Sequence, residues 1–187
     1  MPTIECPTLF NVTNEKLCVE NFAGVGSTGY IFKLDDIEKS KLVAVENVYA
    51  WTDDTFKEGK GFYKVELKSE SQNFVGESNG NNKGFKITGT QVIEVVDETV
   101  GKLLRGLNNI KWGMVIADGD EGRYQILYSP TQKIKLDAGA LKTDTGTASG
   151  DDRVATLTPV LSPVKYPNLF LTFPTGKTPE DYIIPEN

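Results

Sequence analysis

The chain contains no histidine, and cysteine and methionine occur only twice each among its 187 residues. The missing imidazole leaves Ser27 with no histidine to activate it, and it leaves Cys6 and Cys18 without the partner of a thiol nucleophile. Two cysteines without histidine do not make a zinc site by themselves. Free thiols are the preferred reading; a disulfide between Cys6 and Cys18 depends on the fold bringing them together, which their spacing leaves open. No apolar run approaches the length that spans a bilayer. The opening MPTIECPTLFNVTNEK has no basic stretch leading into an apolar one, so it does not read as a signal peptide. Positive charge is not in excess: 20 Lys and Arg against 26 Asp and Glu give a formal charge of -6. That balance argues against a broad nucleic-acid-binding surface, although it leaves room for a local basic patch.

What is present suits a soluble globular chain, with 39% hydrophobic and 25% charged residues. The length allows one domain with a sizeable core, or one domain with extended arms. Residues 1–29 read as an N-terminal arm, residues 30–173 as a β domain and residues 174–187 as a C-terminal tail that hangs loose or clips onto a neighbour. The glycines of FAGVGSTG are not followed by a helix or by GKS or GKT, so a flexible arm is preferred to a phosphate cradle. Strands are expected from Tyr30 (YIFKL), Lys41 (KLVAVENVYAW), Phe62 (FYKVELKSE) and Gly84 (GFKITGTQVIEVV), on their β-branched and aromatic content. In the third, Tyr63, Val65 and Leu67 alternate with Lys64, Glu66 and Lys68, as in a strand with one wet face. Between the third and fourth strands, Gln72, Asn73, Phe74, Asn79, Asn81, Asn82 and Lys83 fall in a segment rich in Asn and Gly that reads as a long hairpin loop.

One helix interrupts the alternation. Val100, Leu103, Leu104 and Leu107 have i, i+3, i+4, i+7 spacing, Asp97 is placed to cap the N-terminus, and Asn108 and Asn109 to stop the helix. Gly101 and Gly106 weaken it by about 1 kcal/mol each. Further strands are expected in KWGMVIAD, RYQILYS, VATLTPV and NLFLTF, giving about eight strands, one helix and no internal repeat. This order predicts a closed or nearly closed antiparallel sheet capped by a helix rather than a doubly wound fold.

Candidate chemistry is sparse. Asp53–Asp54 and Asp151–Asp152 are adjacent acids in turn-like segments, which suits solvation better than acid–base or metal work. DGDEG, from Asp118, lacks the alternating ligands and closing glutamate of a calcium loop. No cofactor and no selective metal site is expected. Trp112, after the helix, is expected in the core, whereas Trp51 is open to an interface or ligand role as well.

The order of VGKLLRGLNN, KWGMVIAD, RYQILYS, TGTASGDD and VATLTPV resembles the major tail tube proteins of long-tailed bacteriophages, especially those of Bacteroides-type hosts, over roughly residues 40–173. The resemblance implies a mainly β fold, an antiparallel β-sandwich or partial barrel with one flanking α-helix packed through Val100, Leu103, Leu104 and Leu107. It implies a virion structural protein and not an enzyme: self-association into hexameric rings, stacking into a tube among other tail proteins, and DNA passing through the lumen without specific binding. The place of such a protein is the virion tail, and the host cytoplasm during assembly, with no membrane anchor. The segment Gln72–Lys83 would reach the adjacent ring, and the two arms would cover seams. An acidic lumen would keep DNA from sticking, although Lys64, Glu66 and Lys68 make their own strand mixed in sign. Related folds serve as tail terminators and hubs. The alternative outside that family is a non-catalytic surface or carbohydrate-binding β-sandwich using an aromatic patch at Trp51.

Overall fold

β1 (Val25–Lys33) is buried on both faces, since Tyr30, Ile31 and Phe32 are all withdrawn from solvent. A strand of this kind needs cover on two sides, and the fold is arranged to supply it. The computed structural model describes residues 25–68, 71–94, 96–118, 122–146 and 153–184. β1 belongs to a seven-stranded sheet with β2 (Val43–Val45), β3 (Val48–Ala50), β4 (Tyr63–Glu66), β7 (Trp112–Asp118), β8 (Tyr124–Leu127) and β12 (Phe170–Thr172), in the order β2-β3-β12-β8-β7-β1-β4. Every pairing in it is antiparallel except β12 with β3, which is parallel.

A five-stranded sheet forms the second layer. Its centre is β6 (Phe85–Ile93), which pairs with β5 (Asn73–Ser78), β10 (Val154–Leu157) and β11 (Val160–Val164), while β9 (Leu141–Asp144) pairs with β10. The fold is therefore a mainly β, sandwich-like arrangement of two sheets with a single α-helix among the described residues, α1 (Glu98–Asn109). The layers also touch through the backbone: Lys68 N–H donates to the Val92 carbonyl at 2.7 Å, so the chain leaving β4 bonds directly to β6 at one corner.

The two sheet faces follow from strand alternation. Ile31, Met114, Ile116 and Leu127 share one face by register, and they pack in one core with Ile87, Ile93, Leu157 and Leu161 of the second sheet and with α1. On the opposite face lie Phe32, Val115 and Ile126. Here the ring of Phe32 meets Trp51 at 5.7 Å, Phe62 at 5.9 Å and Tyr128 at 5.9 Å in edge or tilted geometry.

α1 forms as its apolar spacing predicts. Asp97 accepts a hydrogen bond from Val100 N–H at 2.8 Å, satisfying a first-turn amide, and the helix ends at Asn109. Leu104 and Leu107 are buried, while Val100 and Leu103 are half-buried against the same core. Gly101 and Gly106 would meet nothing within 4 Å if they carried a Cβ, so close packing does not require them. Trp112 is a core residue as expected; its indole N–H donates to the Leu107 carbonyl at 3.1 Å and ties the helix end to β7.

Several expectations are corrected. Among the described residues twelve strands replace about eight, because tight turns divide two segments that read as one and because β5 and β9 form in stretches that read as connections. The run from Lys41 is a hairpin of β2 and β3, with Glu46 in the left-handed region at φ 57°. VATLTPV contains β10 and the start of β11. The segment from Gln72 to Lys83 is not a long loop: Asn73 and Phe74 lie in β5, which pairs with β6 from Asn73↔Thr90 to Ser78↔Phe85, and backbone pairing there outweighs the low strand propensity of Asn and Gly. Val25 to Gly29 belong to β1 and not to an arm, whereas residues 1–24 lie outside the described residues, as do 119–121 of DGDEG and 147–152 of the TGTASGDD stretch. The tail from residue 174 is folded onto the domain as far as Ile184.

Replacing Leu107 by Ala removes the deepest side chain of the α1 stripe, and a loss of about 2–5 kcal/mol of unfolding free energy is expected, read from the midpoint of denaturant unfolding. A change below 1 kcal/mol would mean that α1 does not secure the sandwich.

Candidate functional site

One cross-strand row runs through all seven strands of the larger sheet. The registers align Val65, Gly29, Ile116, Gln125, Phe170, Val48 and Val45 on the same face. At one end Val65 and Ile116 lie in the core; at the other, Val48 is 37% and Val45 77% exposed. Val43, two residues along β2 on the same face, is 59% exposed. A face that is interior under the second sheet thus continues past Gln125, whose side-chain amide donates to Asp118 at 2.9 Å, and is apolar again at Phe170, Val48 and Val45. The Arg123 guanidinium stands 4.2 Å from the Phe170 ring centroid and pairs with Asp118 at 3.6 Å, marking the transition between covered and uncovered parts.

β2 is the terminal strand at that end, and no strand of the described residues lies on its outer side. An edge with free backbone donors and acceptors beside an apolar strip is a template for strand addition from another chain. The opposite terminal strand is β4. Its outer side is held at one point by the chain's own C-terminal segment: Phe62 N–H donates to the Tyr182 carbonyl at 2.8 Å, and Ile184 N–H donates to the Phe62 carbonyl at 3.1 Å.

Two carboxylates fasten this segment. Glu180 accepts from the Tyr30 hydroxyl at 2.6 Å and pairs with Lys64 at 3.0 Å. Asp53 accepts from the Tyr182 hydroxyl at 2.6 Å and from Lys177 at 2.5 Å. The Tyr30 and Lys64 contacts hold the Glu180 carboxyl below its usual range, and Lys177 with Tyr182 does the same for Asp53. Burial, reinforced by the adjacent carboxylate, raises the Tyr30 and Tyr182 phenols. A single turn of 3₁₀ helix, Pro179–Tyr182, is closed by Thr178 N–H donating to Asp181 at 2.7 Å. Sequence reasoning placed Asp53 in a polar turn and did not identify these partners, which lie more than a hundred residues away.

The other singled-out residues are dispersed. Gln72 lies in the irregular stretch before β5, buried, with its side-chain amide donating to the Lys68 carbonyl. Asn79, Asn81, Asn82 and Lys83 occupy the β5–β6 turn, with Asn82 at φ 62° and Asn79 N–H bonded to the Gly84 carbonyl at 2.9 Å. Trp51 is 2% exposed and stacked among Phe56, Phe62 and Phe173, so it offers no ligand platform. Val100 and Leu103 line a groove of ≈350 Å3 between α1 and β4 that also takes in Lys64, Glu66 and Glu94. Tyr128, buried beside Tyr49, has its phenol pushed up to about 12 by burial. Among the described residues no three His, Cys, Asp or Glu side chains gather as metal ligands, and no helix is long and apolar enough to cross a membrane.

The clamp carboxylates give a pH dependence of defined sign. A carboxyl whose folded pKa is depressed contributes stability above its unfolded pKa of about 4 and loses it as pH falls through the folded value. The melting temperatures of wild type and of a Glu180→Gln, Asp53→Asn double variant are therefore expected to differ at pH 7 and to converge toward pH 2.5. A gap constant across that series would remove the carboxylates from the clamp.

Comparison of the chain with protein-family models, with curated proteins and with solved structures gave no match.

Proposed function

We propose that this chain is a virion structural protein whose copies join into closed rings, six to a ring by its resemblance to tail tube proteins, and that the rings stack into a conduit for DNA. The observation that carries this reading is the end of the seven-stranded sheet where Val43, Val45 and Val48 extend a core-type face onto β2, whose outer edge no strand of the described residues covers. A soluble monomer usually blunts such an edge with charge, proline or a covering segment, and β2 itself, Val43-Ala44-Val45, has none of its own. A heterologous joint between the two ends of one sheet repeats by rotation, and forms a ring where that rotation closes on itself. The two-sheet architecture with a single helix is compatible with that geometry.

The remaining features take their places within the reading. The β5–β6 turn, Asn79 to Gly84, is the part of the expected inter-ring segment that stands clear of strand pairing and would meet the adjacent ring. The net charge of -6 favours passage of DNA over adhesion to it. Other tail proteins would meet the ends of the tube, and assembly would take place in the host cytoplasm.

Val45→Lys places a charge on the exposed strip with little effect on the monomer, because the side chain is 77% exposed. The melting temperature is expected to stay within about 2 °C of wild type for a surface change of this kind. Negative-stain electron microscopy and mass photometry of concentrated protein are expected to show rings or tubes for wild type and single chains for the variant. Rings formed equally well by Val45→Lys would remove the β2 strip from the joint.

A further inference from the structure

We propose that the C-terminal strap, residues 174–184, competes with a second copy of this chain for the β4 edge, so that a free copy caps itself and assembly requires the strap to leave. The proposal rests on the ring reading above, in which β2 of one copy meets β4 of the next.

The backbone of β4 defines the contest. Leu67 N–H is bonded toward β1, to the Ser27 carbonyl at 2.7 Å, so the even-numbered residues turn their backbone groups away from β1. Phe62 gives both of its groups to the strap, and Lys68 N–H is taken by Val92. Between those two points Lys64 and Glu66 have no strand beside them among the described residues. A three-residue β2 can lie along a four-residue β4, but an incoming β2 would have to pass the strap at Phe62 and the Glu180 carboxylate that holds Lys64.

The strap is close-fitting yet thinly held. A Cβ on Gly61 would collide with the Tyr182 carbonyl oxygen and crowd Ile184 N at 3.1 Å, so the strap backbone lies directly on the β4 entrance. From residue 174 to 184 Pro179 alone is buried, and the Lys64–Glu180 and Lys177–Asp53 pairs are all between 41% and 61% exposed. Exposed ion pairs contribute little. Removing the strap therefore uncovers a strand edge and part of an aromatic cluster without dismantling either sheet, and a neighbour's strand can replace what it supplied. A self-cap of this kind raises the concentration needed for assembly, because each joint must first displace an intramolecular one.

The test locks the strap in place. In a Cys6→Ser, Cys18→Ser background, Lys64→Cys and Glu180→Cys are joined by a short bis-thiol cross-linker and compared with the same protein left uncrosslinked, by mass photometry and electron microscopy across a concentration series. The cross-linked chain is expected to remain single where its control forms rings. In a second arm Gly61→Ala, which dislodges the strap, is expected to lower the concentration for half-assembly by about tenfold, the equivalent of roughly one net hydrogen bond. Melting curves and amide exchange at Phe62 verify that this variant is folded with the strap released. Assembly of the cross-linked chain at the concentration of its control would overturn the strap's role and leave the ring reading standing. Absence of assembly in every form, the released one included, would overturn the ring reading and this proposal with it.

Discussion

The seven-stranded sheet has two apolar faces, and the described residues form one other sheet to lay against them. The rest of the architecture is a response to that mismatch. The five-stranded sheet and α1 cover one face through Leu104, Leu107, Ile87, Ile93, Leu157 and Leu161. The other face is covered without a third layer, by the excursion between β1 and β4 that delivers Trp51 and Phe56, and by Phe173 and Tyr182 from the C-terminal end. Large aromatic side chains suit this task because each shields a wide area while ordering few torsions, and edge-on contacts add modestly to area burial. What neither device reaches is the far end of the first face, and there Val43 and Val45 remain in solvent.

Cover and clamp are therefore not separate features. The segment that completes the aromatic cluster also reaches the β4 edge, and its carboxylate Glu180 binds residues on two adjacent strands, Tyr30 of β1 and Lys64 of β4, which the register sets opposite each other. Asp53 does the equivalent for the excursion, accepting from Lys177 and Tyr182 of the strap. The two ends of one sheet thus differ in character. Among the described residues the β2 end is apolar and bare, and the β4 end is charged and partly occupied.

Much of this was legible in local pattern. The helix was readable because its stripe, cap and stop residues agree, and tertiary packing changed none of them. The strand alternation of Tyr63, Val65 and Leu67 was readable at Val65 and Leu67, which meet the core, but not at Tyr63, which is 38% exposed. What escaped was whatever depends on pairing at long range. β5 has two glycines or asparagines among its six residues and earns its conformation from β6, so its composition suggested a loop. The strap has prolines and polar residues that read as loose chain, and its order comes from Asp53, Phe62 and Lys64, each more than a hundred positions distant. Trp51 was ambiguous because an aromatic at a strand end looks the same whether it faces solvent or, as here, Phe62 at 4.8 Å. The uncovered β2 strip was unreadable for a related reason: Val43, Val45 and Val48 look like core residues in sequence, and only the relative widths of the two sheets expose them.

The parallel pairing of β12 with β3 has a temporal side. β12 lies between β3 and β8, so among the described residues the strand pairing of the β2–β3 hairpin with the rest of the sheet runs through residues 170–172. During synthesis the hairpin emerges more than a hundred residues before the strand that seats it. Contacts of such sequence separation form late. The apolar strip on β2 acquires a fixed position relative to the domain only after residue 172 has left the ribosome, and the strap follows within a dozen residues. The order of the chain thus completes the β2 edge and the strap that closes on β4 within the same last stretch of synthesis.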